Sequence, residues 1–167
     1  NRGVTFGRTV AGGTVHRDPV RVTKILVALN VALYAVQYLL GDSFTQRYWT
    51  SGADVAFAGD WWRLITAAFL HGSITHLLLN MLALWVVGGV VEPRLGRWRY
   101  LTVYLVSALA GSVLSYVVDP FTQPSVGASG AVFGLFGALF VLSLRLRFDI
   151  GGIIAIILII GALTPTG

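Results

Sequence analysis

The sequence predicts an all-α bundle of membrane-spanning helices, a polytopic membrane protein. Three observations carry that expectation. Only 11% of the 167 residues are charged and 56% are hydrophobic, whereas an ordinary soluble domain carries about 25% charged residues. The apolar residues are gathered into five long runs, and most of the Lys and Arg residues lie between those runs. A soluble globule could not cover its surface with so few charges. The composition therefore excludes a soluble enzyme, a disordered chain and a nucleic-acid-binding domain, despite a net charge of +5. The absence of cysteine excludes disulfides, thiolate catalysis and Cys-ligated zinc.

Residues 1–24 read as a basic cytoplasmic segment, with Arg2, Arg8, Arg17, Arg21 and Lys24. Residues 25–167 read as the membrane domain. Its apolar runs cover about 25–40, 64–91, 101–118, 129–144 and 150–163. They are too long for strands, and lipid admits only helices or closed barrels, so each run is expected to be one helix. The loop 41–62 carries Phe44, Tyr48, Trp49, Phe57, Trp61 and Trp62. Aromatics at that density suit the headgroup region, and part of the loop is expected to lie there as an amphipathic element.

Orientation follows from the basic residues. With the N-terminus in the cytoplasm, ten of the 12 Lys and Arg residues face inward and only Arg47 and Arg63 face outward. The expected location is the plasma (inner) membrane, with the lipid bilayer as the constant partner.

Polar side chains at membrane depth mark function by default. The second run carries His71, His76 and Asn80, and the last two are four residues apart, on one helix face. The fourth run opens at Ser129, inside Ser125-Val-Gly127-Ala-Ser129-Gly130-Ala131. At 1.5 Å per residue, His76 and Ser129 both fall about 22–24 Å above the inner boundary. They can meet below the outer surface, in a sunken wet cavity. Gly127 and Gly130 let backbone approach the serine, and Gly130, Gly134 and Gly137 give the fourth helix a smooth side. A serine at a helix N-terminus, facing Asn and His donors, resembles a nucleophile beside an oxyanion hole.

These motifs together resemble the rhomboid family of intramembrane serine proteases. Trp62-Arg63 is similar to the family's first-loop pair. His71-Gly-Ser-Ile-Thr-His76-Leu-Leu-Leu-Asn80 is similar to its second-helix motif. Gly88-Gly89-Val-Val-Glu92-Pro-Arg-Leu-Gly96 is similar to the pattern closing that helix. Gly127-Ala128-Ser129-Gly130 is similar to its G-x-S-G nucleophile motif. The resemblance spans about residues 25–167. It implies a six-helix bundle, of which five helices are expected here, that hydrolyses transmembrane protein substrates. Ser129 would be the nucleophile, with its own N–H, His76 and Asn80 stabilising the oxyanion and Gly127 and Gly130 shaping the nucleophile loop. Arg63 and Glu92 would be structural, with Arg94 or Arg97 as candidate partners of Glu92. The general-base histidine would lie on the sixth helix, and a separate C-terminal fragment carrying that helix is one possible partner.

No cofactor is implied. A zinc pair of His71 and His76 is disfavoured, because five positions on one helix set them about 140° apart. The alternative to a protease is a catalytically inactive relative that binds membrane clients. A transporter or channel subunit is a third reading, which the lack of an acidic residue at mid-membrane depth disfavours.

Overall fold

The computed structural model describes residues 12, 18–51, 54–118 and 126–155. Four long helices make the bundle: α1 (Arg21–Leu40), α4 (Ile74–Leu95), α5 (Arg97–Val118) and α6 (Ser129–Leu146). Each is long and apolar enough to cross a membrane. Between α1 and α4 lie two short helices, α2 (Asp42–Tyr48) and α3 (Arg63–Thr66), with a π-helical turn at Asp54–Ala58 before α3. The fifth run begins as helical turns at 151–155, and its remainder lies outside the described residues. So do Ser125 and nearly all of the N-terminal segment up to residue 17.

The bundle is built for lipid. In α1 the buried residues are Thr23, Leu26, Asn30 and Gln37, whereas Ile25, Leu29, Val36 and Leu39 face outward. This inversion suits hydrocarbon, where a polar group needs a protein partner and an apolar one does not. Asn30 donates to the Leu26 carbonyl and the Tyr104 hydroxyl. The protein is a multi-pass membrane protein with an all-α fold.

One carboxylate ties α1, α4 and α5 together at one end of the bundle. Glu92, only 1% exposed near the end of α4, accepts the Val22 and Thr23 N–H groups and the Thr23 hydroxyl, each at 2.8 Å. These N–H groups belong to the first turn of α1, which has no side-chain cap of its own. Glu92 thus caps a helix about 70 residues away, where negative charge also complements the helix dipole. The Thr23 proton goes to the carboxylate, so the Tyr100 hydroxyl, 3.0 Å away, donates to Thr23. Gly88 makes room for this network: a Cβ there would stand 2.5 Å from both hydroxyl oxygens. The expected arginine partners are therefore wrong. Arg94 donates to the Val90 carbonyl and stacks over Phe148, and Arg97 donates to the Asp18 carbonyl. A carboxylate faced with orphan helix donors needs no cation.

The run 64–91 is not one helix. The chain makes α3, a 3-10 turn at Ala67–Phe69 and an extended link before α4 starts at Ile74. Ser73 explains the restart. Its backbone is extended and its hydroxyl accepts the His76 N–H at 3.1 Å, the standard N-cap bond to the third helical residue. His71 consequently lies in the link, not on the helix.

Helices α5 and α6 cross at glycine. A Cβ on Gly111 would lie 2.8 Å from the Gly130 Cα, and one on Gly134 would collide with the Ser107 side chain. Gly137 differs from the expected smooth side, for nothing approaches its position within 4 Å.

Replacing Glu92 by Ala strands three buried donors, each costing about 1–3 kcal/mol. Thermal unfolding in detergent is expected to show a loss of about 3–5 kcal/mol, with Glu92→Gln losing less because it keeps one acceptor.

Candidate active site

Two helix N-termini meet below the open end of the bundle. On α4, the Ser73 cap sets the first turn and so fixes where His76 leaves the helix. One turn on, Asn80, 7% exposed, donates one amide hydrogen to the His76 carbonyl at 3.0 Å. Its second amide hydrogen is not needed by that bond. The bond also fixes which way the amide points.

The second N-terminus is that of α6. Val132 returns its N–H to the Ala128 carbonyl at 3.0 Å, so the N–H groups of Ser129, Gly130 and Ala131 form the open first turn. Ser129 is the first residue of that helix and is exposed, with Ala128 beneath it fully buried. The segment before it is pinned to the rest of the site, because Gly127 donates to the Ala67 carbonyl at 2.9 Å.

Gly127 joins the two. Its φ of 120° lies where a side chain is strained. A Cβ there would stand 2.6 Å from His76 Cε1 and 2.8 Å from Nε2, but 3.8 Å from Nδ1. The Nε2 edge of His76 therefore packs against the loop that leads into Ser129. Ser129 follows two residues later, within about 7 Å along the chain. Gly130 serves elsewhere: it sits in the first turn of α6 against Gly111 of α5.

His71 was expected about 140° away from His76. Off the helix, it stands beside it instead, with the rings T-shaped and their centroids 5.3 Å apart. His71 is 1% exposed, and neither ring nitrogen has a hydrogen bond. Its backbone is satisfied from α1, where the Gln37 amide accepts the His71 N–H at 2.9 Å and donates to its carbonyl at 3.0 Å. Non-helical backbone at this depth requires such a partner. The restart at Ser73 was legible as a Gly-Ser pair before an apolar run. The sequence marks Gln37 as a helix-packing donor in the first run, but not the backbone of His71 as its partner. Among the described residues, no three His, Asp or Glu side chains gather as a metal site.

The loop between α1 and α4 is held by Arg63. Its guanidinium pairs with Asp60 at 3.0 Å and Asp54 at 3.3 Å, and donates to the Gln46 carbonyl at 2.8 Å. It thereby ties α2 and the π-helical turn to the start of α3.

A family model described as the rhomboid domain matches residues 58–165, which contain every site residue above except Gln37 and Gln46 and the loop acid Asp54. The chain belongs to the rhomboid family. Among its curated relatives, "Rhomboid protease GluP" of Bacillus subtilis (strain 168) is 40% identical over 129 residues, 75% of this chain and 25% of that protein. "Rhomboid protease GlpG" of Salmonella choleraesuis (strain SC-B67) is 33% identical over 138 residues, 82% of this chain and 49% of that protein. This rhomboid chain thus spans from a quarter to about half the length of these two relatives.

Proposed function

We propose that this rhomboid chain is the core of an intramembrane serine protease acting on transmembrane protein substrates. The packing of Gly127 against the Nε2 edge of His76 carries the reading. It sets the loop into Ser129 beside the imidazole of His76, whose helix carries Asn80 one turn on. Ser129 is the proposed nucleophile. Its Oγ attacks the scissile carbonyl while its proton passes to a histidine base, which the family resemblance assigns to a sixth helix beyond this chain, on the same or a separate polypeptide. The developing oxyanion is stabilised by the Ser129 N–H in the open turn of α6, the free amide hydrogen of Asn80 and the His76 imidazole. Gly127 permits the close approach, and Gly130 holds that turn against α5. Water then releases the acyl group.

The site lies at the end of the bundle away from the Glu92 network. With positive residues retained inside, that end faces outward from the inner membrane and the N-terminus is cytoplasmic. A single-span substrate would present its cleavage segment there.

In the full-length protein, Ser129→Ala is expected to abolish cleavage of a single-span substrate and labelling by a fluorophosphonate, with the melting temperature unchanged. Cleavage that persists in this variant overturns the assignment. A parent protein that folds but never reacts with the fluorophosphonate would instead favour client binding without catalysis. Asn80→Ala is expected to cost about 10²–10³-fold in kcat, the usual loss of one oxyanion donor. Gly127→Ala forces a strained φ and a methyl into the His76 ring, and is expected to cost about 10²-fold, as misplacement by an ångström does.

A further inference from the structure

We propose that His71 and Gln37 are positioning residues, which together hold the His76 imidazole against the nucleophile loop. The inference rests on the protease reading above and adds two residues that need not touch substrate.

His76 has two walls. One is the Gly127 backbone, so close that a Cβ there would overlap the Cε1–Nε2 edge of the ring. The other is the His71 ring, T-shaped at 5.3 Å. Together they restrict the turning of the imidazole and keep its Nε2 edge at the loop into Ser129. A donor aimed at an oxyanion must be held before the charge develops, because preorganisation is what makes it effective.

The wall itself has to be rigid. The His71 ring is fully buried, yet neither of its nitrogens has a hydrogen bond. The Phe69 carbonyl lies near enough to favour its charged form, but meets no bonding geometry. The ring is therefore not fixed by its own polar contacts. Its backbone is fixed instead. The Gln37 amide takes both the N–H and the carbonyl of His71, as a neighbouring strand would, and its second amide hydrogen goes to the Thr45 hydroxyl at 3.2 Å. Every donor of that amide is committed. Gly72 completes the fit, for a Cβ there would meet the Val126 side chain at 3.8 Å, packing the link against the segment that enters α6. The order of dependence is then Gln37 to His71 to His76.

A residue that acts through another leaves a particular trace. The full-length protein would be compared with His71→Ala, His71→Phe, Gln37→Met and the His71→Ala/Gln37→Met double variant. Cleavage of a single-span substrate gives kcat and KM, and nitrogen-15 spectra of labelled histidine report the His76 ring. Each single loss is expected to lower kcat about 10–100-fold, with KM within about twofold, since it loosens a donor used in the transition state. The double variant should be no worse than the poorer single one, because both act on one element. His71→Phe, which restores the wall without the nitrogens, should recover kcat to within about threefold of the parent. The His76 signal should broaden or split in His71→Ala and sharpen again in His71→Phe.

Unchanged kcat in His71→Ala, multiplying losses in the double variant, or an unaltered His76 signal beside a lowered kcat would each overturn the proposal. Should His71→Ala not fold, Gln37→Met decides alone: a fall in kcat with a disturbed His76 signal supports it, and an unchanged pair of readings overturns it. If the parent never reacts with a fluorophosphonate, the protease reading fails by itself, and the His76 spectra still decide whether these residues hold the ring.

Discussion

Glu92 sits where three helices, α1, α4 and α5, converge on one end of the bundle. Its two oxygens take three donors from the start of α1, and its neighbour Tyr100 of α5 completes the set through Thr23. A helix entering lipid has four orphan N–H groups and no water to satisfy them. Here α1 has no cap in its own sequence, and α4 supplies one. That single contact fixes the height of α1 against α4. Gln37 lies 14 residues above Thr23, about four turns up the helix. The register set by Glu92 at one end therefore decides whether the Gln37 amide meets His71 at the other.

The same logic repeats at the candidate site. A continuous helix from residue 64 would have satisfied its own backbone but carried His71 away from His76. The break at 70–73 costs local hydrogen bonds, and these are returned by Ser73 and Gln37. What the break achieves is the packing of His76, in the first turn of α4, against the Gly127 loop that leads into α6. In the proposed mechanism the open N–H groups of α6, the His76 imidazole and the Asn80 amide act on one oxyanion. Such donors gain strength where water is scarce. Buried polar groups elsewhere find local partners, as Asn30 does with the Leu26 carbonyl and the Tyr104 hydroxyl.

The α5–α6 crossing completes the support. Gly111, Gly130 and Gly134 allow the backbones to approach as glycine does in lipid, where packing replaces the hydrophobic effect between helices. Gly130 lies directly after Ser129, so the turn that bears the proposed nucleophile is itself the contact with α5. Displacing α5 would displace the serine. Arg63 plays the matching part in the loop between α1 and α4, with two carboxylates and a carbonyl holding three short elements on one guanidinium.

The all-α membrane bundle was legible in the sequence, because charge scarcity and apolar run length are properties of composition that lipid reads directly. Helical rise also converts residue counts into an expected height for Ser129, His76 and Asn80. Height is one coordinate only. Which helix faces which, and how far a side chain lies around its axis, depend on contacts between segments tens of residues apart. The arginine partners expected for Glu92 were local guesses, and the tertiary fold replaced them with the first turn of α1. The separation expected for His71 and His76 assumed an unbroken helix, and the cap at Ser73 removed that assumption. The amide of Gln37 had no motif around it, since its partner is the backbone of His71 and a backbone carries no sequence of its own. The sequence by itself determined which solvent the chain needs and which polar residues its apolar runs carry. Only the tertiary structure decided which of them touch, because hydrogen bonds in the bundle core go to whichever donor the packing brings within 3 Å.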